Sequence, residues 1–224
     1  MAIAIPDRDD CRVIDRRIFL KSVVAGGAAL LASCAPTLDG NAVSATVERG
    51  TPFDTLRDYS AEPHPVRVIN RAKFDPAFAP TVVASPYAEA VGSVVINTQT
   101  RLLYLIEPRG LARRYGVAVG DAGYGWSGRA RVGRKATWPA WHPTPSMHAQ
   151  GELPVRVAPG AHNPLGARAL YLFEGGRDTL YRIHGTSEPW TIGTQASSGC
   201  IRMFNEDVID LYDRVNVGAA VIVT

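Results

Sequence analysis

The sequence predicts a mainly β protein, and three observations support that class. Short apolar runs bounded by turn residues recur from residue 92 to the end of the 224-residue chain. Proline and glycine are abundant, at 16 and 21 residues, which favours strands and turns over long helices. Convincing helical spacing of apolar residues is confined to 205–215. We therefore expect a β-sandwich or barrel with few short helices.

Strand signals occur in order along the second half of the chain. Residues 93–107 (SVVINTQTRLLYLIE) hold two apolar runs joined by NTQTR, which is typical of a hairpin. Residues 113–120 (RRYGVAVG) alternate and end in glycine. A second pair of strands is predicted at 169–176 and 179–185 around the turn GGRD. Residues 219–224 (AAVIVT) are the predicted closing strand.

The predicted helix at 205–215 has an apolar stripe made of Val208, Ile209, Leu211, Tyr212 and Val215. Asn205 is the predicted N-cap, because asparagine side chains often accept hydrogen bonds at that position. Glu206 and Asp207 follow in the first turn, where acidic residues complement the helix dipole.

The first 34 residues have the features of an export signal. Arg16 and Arg17 precede an apolar stretch of about 11 residues, too short to span a bilayer as a helix. The order Arg-Arg-x-Phe-Leu-Lys resembles a twin-arginine signal, although Asp15 stands where that motif commonly has serine, so the ordinary secretion route stays open. LASC at 31–34 resembles a lipobox, with Cys34 as the lipidation site; a small-residue cleavage site with an incidental cysteine is the alternative. We expect a periplasmic or cell-envelope protein, anchored to the membrane by an N-terminal lipid.

Composition divides the remainder of the chain. Residues 35–65 lack a sustained period and are predicted to be a linker, and 66–91 are an N-terminal extension with loosely ordered surface structure. Residues 92–224, where the strand signals recur, form the predicted folded domain. The formal net charge is only +3 and contains no dense Lys/Arg run, which argues against nucleic acid as a partner.

Cys200 is the candidate nucleophile of this domain. Cysteines of exported proteins usually form disulfides, and Cys200 has no second cysteine within 92–224. Ser197, Ser198 and Gly199 precede it, and small residues let the backbone approach a ligand closely. His184 ends an apolar strand and could accept the thiol proton or form a thiolate–imidazolium pair. The alternative is a small buried cysteine that serves packing.

Two motifs carry a family resemblance. IHGT at 183–186, followed by SSGCIRM at 197–203, closely resembles the L,D-transpeptidase catalytic (YkuD-type) domain. NPLGARALYL at 163–172 matches a segment commonly found before the histidine strand of that family. The resemblance covers roughly 92–224 and implies an L,D-transpeptidase-like β-sandwich or barrel.

The resemblance also implies roles for individual residues. Cys200 would be the nucleophile and His184 its base, with the Gly185 carbonyl orienting the imidazole. The N–H groups of Gly199 and Cys200 would stabilise the oxyanion. Ser198 stands where many members have a second histidine, and it would lie at the substrate.

Two further residues are expected to bind substrate. Arg202 could hold a peptide carboxylate, or it could form a salt bridge with Glu206 or Asp207; both interpretations stay open. Trp141 belongs to a proline-rich stretch, WPAWHPTPSMH at 138–148, that is either a substrate-side lid or a stiffened surface loop.

The implied reaction is acyl transfer on peptidoglycan stem peptides, either forming 3-3 cross-links or attaching a lipoprotein to the wall. The alternatives are a cysteine L,D-carboxypeptidase or peptidase on wall peptides, and a catalytically silent wall-binding lipoprotein. The sequence predicts no cofactor and no metal, because the histidines lack the spacing of a zinc motif. The basic stretch GRARVGRK at 128–135 faces anionic wall polymers or is a solvated hairpin.

Overall fold

The computed structural model describes residues 50–121, 126–149, 151–197 and 199–224. The expected class is confirmed, since this part of the chain consists of strands with few short helices. The strands are β1 Thr51–Pro52, β2 Thr81–Ala84, β3 Val94–Asn97, β4 Leu102–Glu107, β5 Leu111–Gly116, β6 Val119–Gly120, β7 Gly128–Thr137, β8 Arg168–Glu174, β9 Arg177–His184, β10 Gln195–Ser197, β11 Ile201–Arg202 and β12 Ala220–Val223. The α-helices are α1 Pro145–His148 and α2 Asn205–Arg214, and the 3-10 turns are Arg71–Lys73, Pro76–Phe78, Pro108–Gly110 and Pro189–Thr191.

Ten of these strands form one sheet, in the order β1-β2-β5-β4-β3-β12-β7-β8-β9-β11. The predicted hairpin β3–β4 and the predicted pair β8–β9 are both antiparallel neighbours. The closing strand β12 lies between β3, to which it is parallel, and β7, to which it is antiparallel. This central position ties the two predicted strand pairs into one sheet.

The main hydrophobic core joins the sheet to α2. Leu103, Leu170 and Ile183 are fully buried and belong to the same cluster as Val208 and Leu211 of the helix. Burying a side chain of this size stabilises the fold by about 1.5–3 kcal/mol. Because residues alternate between the two faces of a strand, the neighbours of these core residues in β8 and β9 lie on the opposite face.

Helix α2 begins at Asn205, and the predicted N-cap role of that residue is wrong. Phe204 occupies the cap position and makes no side-chain capping bond. The apolar stripe is buried as predicted, with Ile209 and Leu211 at 0% exposure. No helix in the described ranges is long and apolar enough to cross a membrane.

The acidic first turn of α2 is buried rather than solvated. Asp207 accepts hydrogen bonds from Arg71 at 2.5 and 3.1 Å and from the Thr55 hydroxyl at 2.9 Å. Glu206 accepts from the backbone N–H of Ile69 at 3.0 Å. The helix therefore binds the chain segment that precedes the predicted catalytic domain.

Residues 50–91 contact the domain at several places. Within the predicted linker, Glu62 accepts a hydrogen bond from the Trp138 indole at 2.7 Å and pairs with Arg168. The expectation of loose structure at 66–91 is wrong, because β2 pairs with β5 and Phe74 packs edge-on against Phe204, with ring centroids 4.9 Å apart. The predicted signal at 1–34, Cys34 and residues 35–49 lie outside the described residues.

Candidate active site

Strands β9 and β11 bring the two predicted catalytic side chains together. They pair in parallel, with Ile201 opposite Ile183 and Arg202 opposite His184. Cys200 immediately precedes β11, so it shares a face with Arg202, two residues later. The thiol and the imidazole therefore lie on the same face of neighbouring strands.

That face forms the floor of a cleft of about 640 Å³ that both His184 and Cys200 line. Cys200 is partly exposed, and its Sγ lies 3.8 Å from the backbone oxygen of Leu180. The cleft is lined by side chains of mixed polarity, among them Arg134, Trp141, Leu153, Tyr171, Arg182 and Arg202. Its floor thus offers a thiol, an imidazole and three guanidinium groups to one ligand.

A bulge in β9 shapes the wall of the cleft beside Cys200. The register between β8 and β9 shifts after the pair Tyr171–Arg182. Leu180 takes a left-handed conformation with φ 64°, although it is not glycine. Such a conformation costs about 1–3 kcal/mol and is common next to functional sites. In this protein, the backbone oxygen of the left-handed residue, Leu180, is the one that lies 3.8 Å from the Cys200 sulfur.

The His184 imidazole is held neutral and in a fixed orientation. Its Nδ1 lies 2.5 Å from the carbonyl oxygen of Gly185. Because a carbonyl only accepts hydrogen bonds, Nδ1 carries the proton and Nε2 is the basic nitrogen. The ring is 4% exposed, and burial, reinforced by the charges of Arg202 and Arg182, lowers the pKa of His184 to about 3.

Cys200 is held as a thiol. Burial raises the pKa of Cys200, and the nearby Arg182 and Arg202 offset this only in part. With His184 neutral as well, the pair at rest is thiol and imidazole. Of the two arrangements open from the sequence, the electrostatics favour the neutral pair over a preformed thiolate–imidazolium pair.

Asn205 fixes the turn that follows His184. Its Oδ1 accepts from the Ala167 N–H and its Nδ2 donates to the Thr186 carbonyl, each at 2.9 Å. A Cβ at either Gly185 or Gly166 would collide with that same Oδ1. Both glycines are therefore required for Asn205 to bridge them. The sequence pattern predicts only a cap role for Asn205. The glycines of HG at 184–185 and NPLG at 163–166 are the sequence signal that a side chain packs closely against both turns.

Arg202 lines the cleft next to His184 and does not pair with Glu206 or Asp207, which was one of the two interpretations open from the sequence. Its Nη1 donates to Glu188 at 2.9 Å, and Glu188 is itself 49% exposed at the cleft. The alternative partners, Glu206 and Asp207, are buried beside Arg71 on α2. The carboxylate-binding role of Arg202 stays a prediction.

The proline-rich loop divides between the two interpretations offered for it. Trp138 is 5% exposed and bonded to Glu62, so it serves packing. Trp141 lines the cleft and forms a two-way backbone bridge with Val157, with N–O distances of 3.0 and 2.9 Å. The loop also contains α1, which the sequence did not predict.

Among the described residues, no three His, Cys, Asp or Glu side chains are grouped closely enough to hold a metal ion.

Comparison with known proteins decides the family. Residues 92–223 match the model of the L,D-transpeptidase catalytic domain, YkuD. The chain belongs to this family. The probable L,D-transpeptidase YbiS of Escherichia coli K12 is 37% identical over 139 residues, which cover 58% of this chain and 43% of YbiS. The chain thus spans less than half the length of that curated relative.

Solved structures give further likenesses. A protein of Brucella melitensis, described as a probable carnitine operon oxidoreductase CaiA, is 47% identical, with 67% of this chain and 96% of that chain covered and a TM-score of 0.46. L,D-transpeptidase 3 of Mycobacterium tuberculosis, bound to a faropenem-derived adduct, is 17% identical, with 65% and 61% covered and a TM-score of 0.45. Family membership rests on the match of 92–223.

The L,D-transpeptidase motif around Cys200 contains two residues of special interest. Gly199 has φ 113°, a conformation that glycine adopts far more easily than other residues. It is buried directly before the thiol. Ser198, which stands where many family members have a second histidine, lies outside the described residues.

Proposed function

We propose that this chain is an L,D-transpeptidase: a cysteine acyltransferase that acts on peptidoglycan stem peptides through a thioester on Cys200. The observation that carries the proposal is the pairing of β9 with β11, which puts Cys200 and His184 on one face of the same cleft. The membership of the chain in the L,D-transpeptidase domain family supports the choice of substrate.

In the acylation step, Cys200 Sγ attacks the carbonyl carbon that precedes the terminal D-residue of a donor stem peptide. The thiol proton passes to Nε2 of His184 as the carbon–sulfur bond forms. The N–H groups of Gly199 and Cys200 stabilise the negative oxygen of the tetrahedral intermediate. The imidazolium then gives its proton to the leaving amine, the carbon–nitrogen bond breaks, and the D-residue departs.

In the second step, the amine of another stem peptide attacks the thioester. His184 removes a proton from that amine, the new amide forms, and the proton returns to the Cys200 sulfur as it leaves. The neutral resting pair suits both steps, since no charge is buried until substrate arrives and the Gly185 carbonyl then stabilises the imidazolium. Arg202, Ser198 and Trp141 are proposed to contact the peptide chains.

The place of action is a further part of the proposal. The Arg16-Arg17 signal and the lipobox at Cys34 support export to the periplasm and a lipid anchor, so that the domain would face the wall from a membrane. The acceptor amine would then come from a second stem peptide or from a wall-attached lipoprotein.

Mass spectrometry of the purified protein with a stem tetrapeptide tests the activity. The expected result is an acyl adduct on Cys200 and a 3-3 cross-linked product, both absent from Cys200→Ala. Hydrolysed tripeptide alone would favour a carboxypeptidase, which uses water as acceptor. Binding without adduct or product would favour a silent wall-binding protein and would refute the proposal.

A further inference from the structure

Three side chains form a cationic row on the cleft floor beside Cys200. Arg134 of β7 pairs with Tyr171 of β8, and Tyr171 pairs with Arg182 of β9. Continuing the parallel register by one residue places Cys200 beside Arg182. Paired residues share a face, so the order across the floor is Arg134, Tyr171, Arg182 and then the sulfur.

Tyr171 carries a guanidinium from each neighbouring strand. The Cζ atoms of Arg134 and Arg182 lie 3.5 and 4.6 Å from the centroid of its ring. The ring is 6% exposed as a result. Stacking on an aromatic face holds a planar guanidinium in place while leaving its N–H groups able to bind an anion.

The two arginines are unequal in their charge balance. Arg182 is paired with Asp178 at 3.1 Å. Arg134 has no acidic partner within 4.0 Å among the described residues, and its side chain is exposed at the cleft. Two guanidinium groups near one carboxylate leave an excess positive charge, which a second carboxylate from a ligand would neutralise.

Resting on the proposed function, we propose that Arg134 and Arg182 form a carboxylate-binding subsite that receives the terminal α-carboxylate of the donor stem peptide. That carboxylate belongs to the residue directly after the bond under attack, so it lies about one residue length, roughly 3.5 Å, from the reacting carbonyl. Neighbouring strands are about 4.8 Å apart. A peptide whose reacting carbonyl is at Cys200 therefore brings its terminus to the arginine on the adjacent strand.

This subsite differs in position from Arg202. Arg202 is level with His184 along the strands, whereas Arg182 is level with Cys200. Arg202 has its own carboxylate partner, Glu188 at 2.9 Å, whereas Arg134 and Arg182 together have one, Asp178. The subsite would make the enzyme select donor peptides that end one residue beyond the reacting bond. A longer peptide would present an uncharged amide to the two arginines instead of a carboxylate.

Binding to Cys200→Ala protein, which cannot turn substrate over, tests the subsite. Dissociation constants are measured by calorimetry for three ligands: the stem tetrapeptide, its C-terminal amide, and a tetrapeptide amidated only on the side-chain carboxylate of its diamino acid. We expect the C-terminal amide to bind about tenfold more weakly than the acid, as for loss of a charge-assisted contact. The side-chain amide should bind like the acid.

Substitutions in the Cys200→Ala protein test whether the preference for the acid depends on Arg134. Arg134→Gln should reduce the difference between acid and C-terminal amide, because Arg182 remains, and Arg134→Lys should restore part of it. Arg177→Gln is the matched control, because Arg177 is exposed on β9 outside the cleft lining and loses the same charge. Circular dichroism checks that each variant is folded.

Equal affinity of acid and C-terminal amide, a preference that follows the side-chain carboxylate, or no binding of the acid would each overturn the subsite. These outcomes are separable from failure of the proposed function. An adduct on Cys200 with no acid preference would refute the subsite alone. An acid preference that depends on Arg134, with no adduct on the unmutated protein, would refute acyl transfer alone.

Discussion

The two faces of β8, β9 and β11 differ completely in character although the same three strands supply both. On the helix side, Leu170, Ile183 and Ile201 are buried and apolar. On the cleft side, Tyr171 of β8, Arg182 of β9 and Cys200 before β11 follow one another across the sheet. Strand alternation alone separates these two sets.

The residues that stabilise the domain and the residues proposed to carry its chemistry therefore lie on opposite sides of one sheet. The helix-side residues lose apolar contact area when truncated, so their substitution should lower the free energy of unfolding. The cleft-side residues face a ligand, so their substitution should alter reaction or binding while the fold persists. Substitutions on each side of the sheet test whether the two sets of residues are separate in this way.

The largest expected effect is on the cleft side, from Cys200→Ala. Removal of the sulfur should take adduct formation with stem tetrapeptide below detection, because the thioester cannot form without it. The melting temperature should stay nearly unchanged, since the residue is only partly buried and lies at the cleft rather than in the main hydrophobic core. Intact mass and a thermal melt measure the two effects. A large fall in melting temperature would mean that the thiol serves packing.

Next in size is a helix-side change, Ile183→Ala, one residue before His184. It should lower the free energy of unfolding by about 2–5 kcal/mol, because Ile183 is fully buried against α2. Ile183→Val is the graded control, with an expected loss of about 0.5–1.5 kcal/mol. Urea denaturation measures both. Losses of equal size in the two variants would contradict the packing explanation.

Local patterns were enough to predict much of this arrangement. The hairpin at 93–107, the pair around GGRD and helix 205–215 each depend on neighbouring residues, and all three are present. The His-Gly and Ser-x-Gly-Cys motifs gave the family because their residues are close in sequence. Structural features that depend on neighbouring residues can therefore be predicted from periodicity and short motifs.

Contacts between distant segments could not be read in this way. Arg202 pairs with Glu188, fourteen positions earlier, rather than with the acidic residues that follow it. Asp207 instead binds Arg71, 136 positions away. A charged side chain chooses its partner by geometry in the folded chain, and sequence proximity suggested the wrong one in each case. The Arg134–Tyr171–Arg182 row likewise depends on registers among three strands.

Asn205→Ala tests a residue that contributes both to the stability of the fold and to the position of His184. Loss of its amide leaves the Ala167 N–H and the Thr186 carbonyl unsatisfied, which should lower the free energy of unfolding by about 1–3 kcal/mol. It should also slow acylation of Cys200, because the turn after His184 loses its brace.

The matched control is Asn70→Ala, whose side chain caps an exposed turn through the Ala72 N–H at 3.1 Å. We expect a smaller loss of stability there and an unchanged acylation rate. Rates come from adduct mass against time, and stabilities from urea denaturation. If Asn205→Ala is fully folded under the assay conditions and is acylated at the normal rate, then Asn205 has only a structural role.

Burial of His184 also predicts that the stability of the domain depends on pH. Burial lowers the pKa of this histidine to about 3 in the folded chain, against an ordinary value of 6.5. Between these values the unfolded chain binds a proton that the folded chain does not, so the stabilisation present above pH 6.5 is lost as pH falls toward 3. From about pH 7 to about pH 5 the loss amounts to roughly 2 kcal/mol, at about 1.36 kcal/mol per proton and pH unit.

Urea denaturation of the unmutated protein and of His184→Gln at about pH 7 and about pH 5 isolates this contribution. Glu206 and Asp207 also have shifted pKa values, raised by burial, but both proteins contain them and their effects cancel in the difference. The unmutated protein should lose more stability than the variant on acidification. Equal losses would mean that the pKa of His184 is the same in the folded and unfolded chain, which would contradict the effect of burial. A smaller loss in the unmutated protein than in the variant would mean that the folded chain holds the imidazole in its charged form, as in a preformed ion pair.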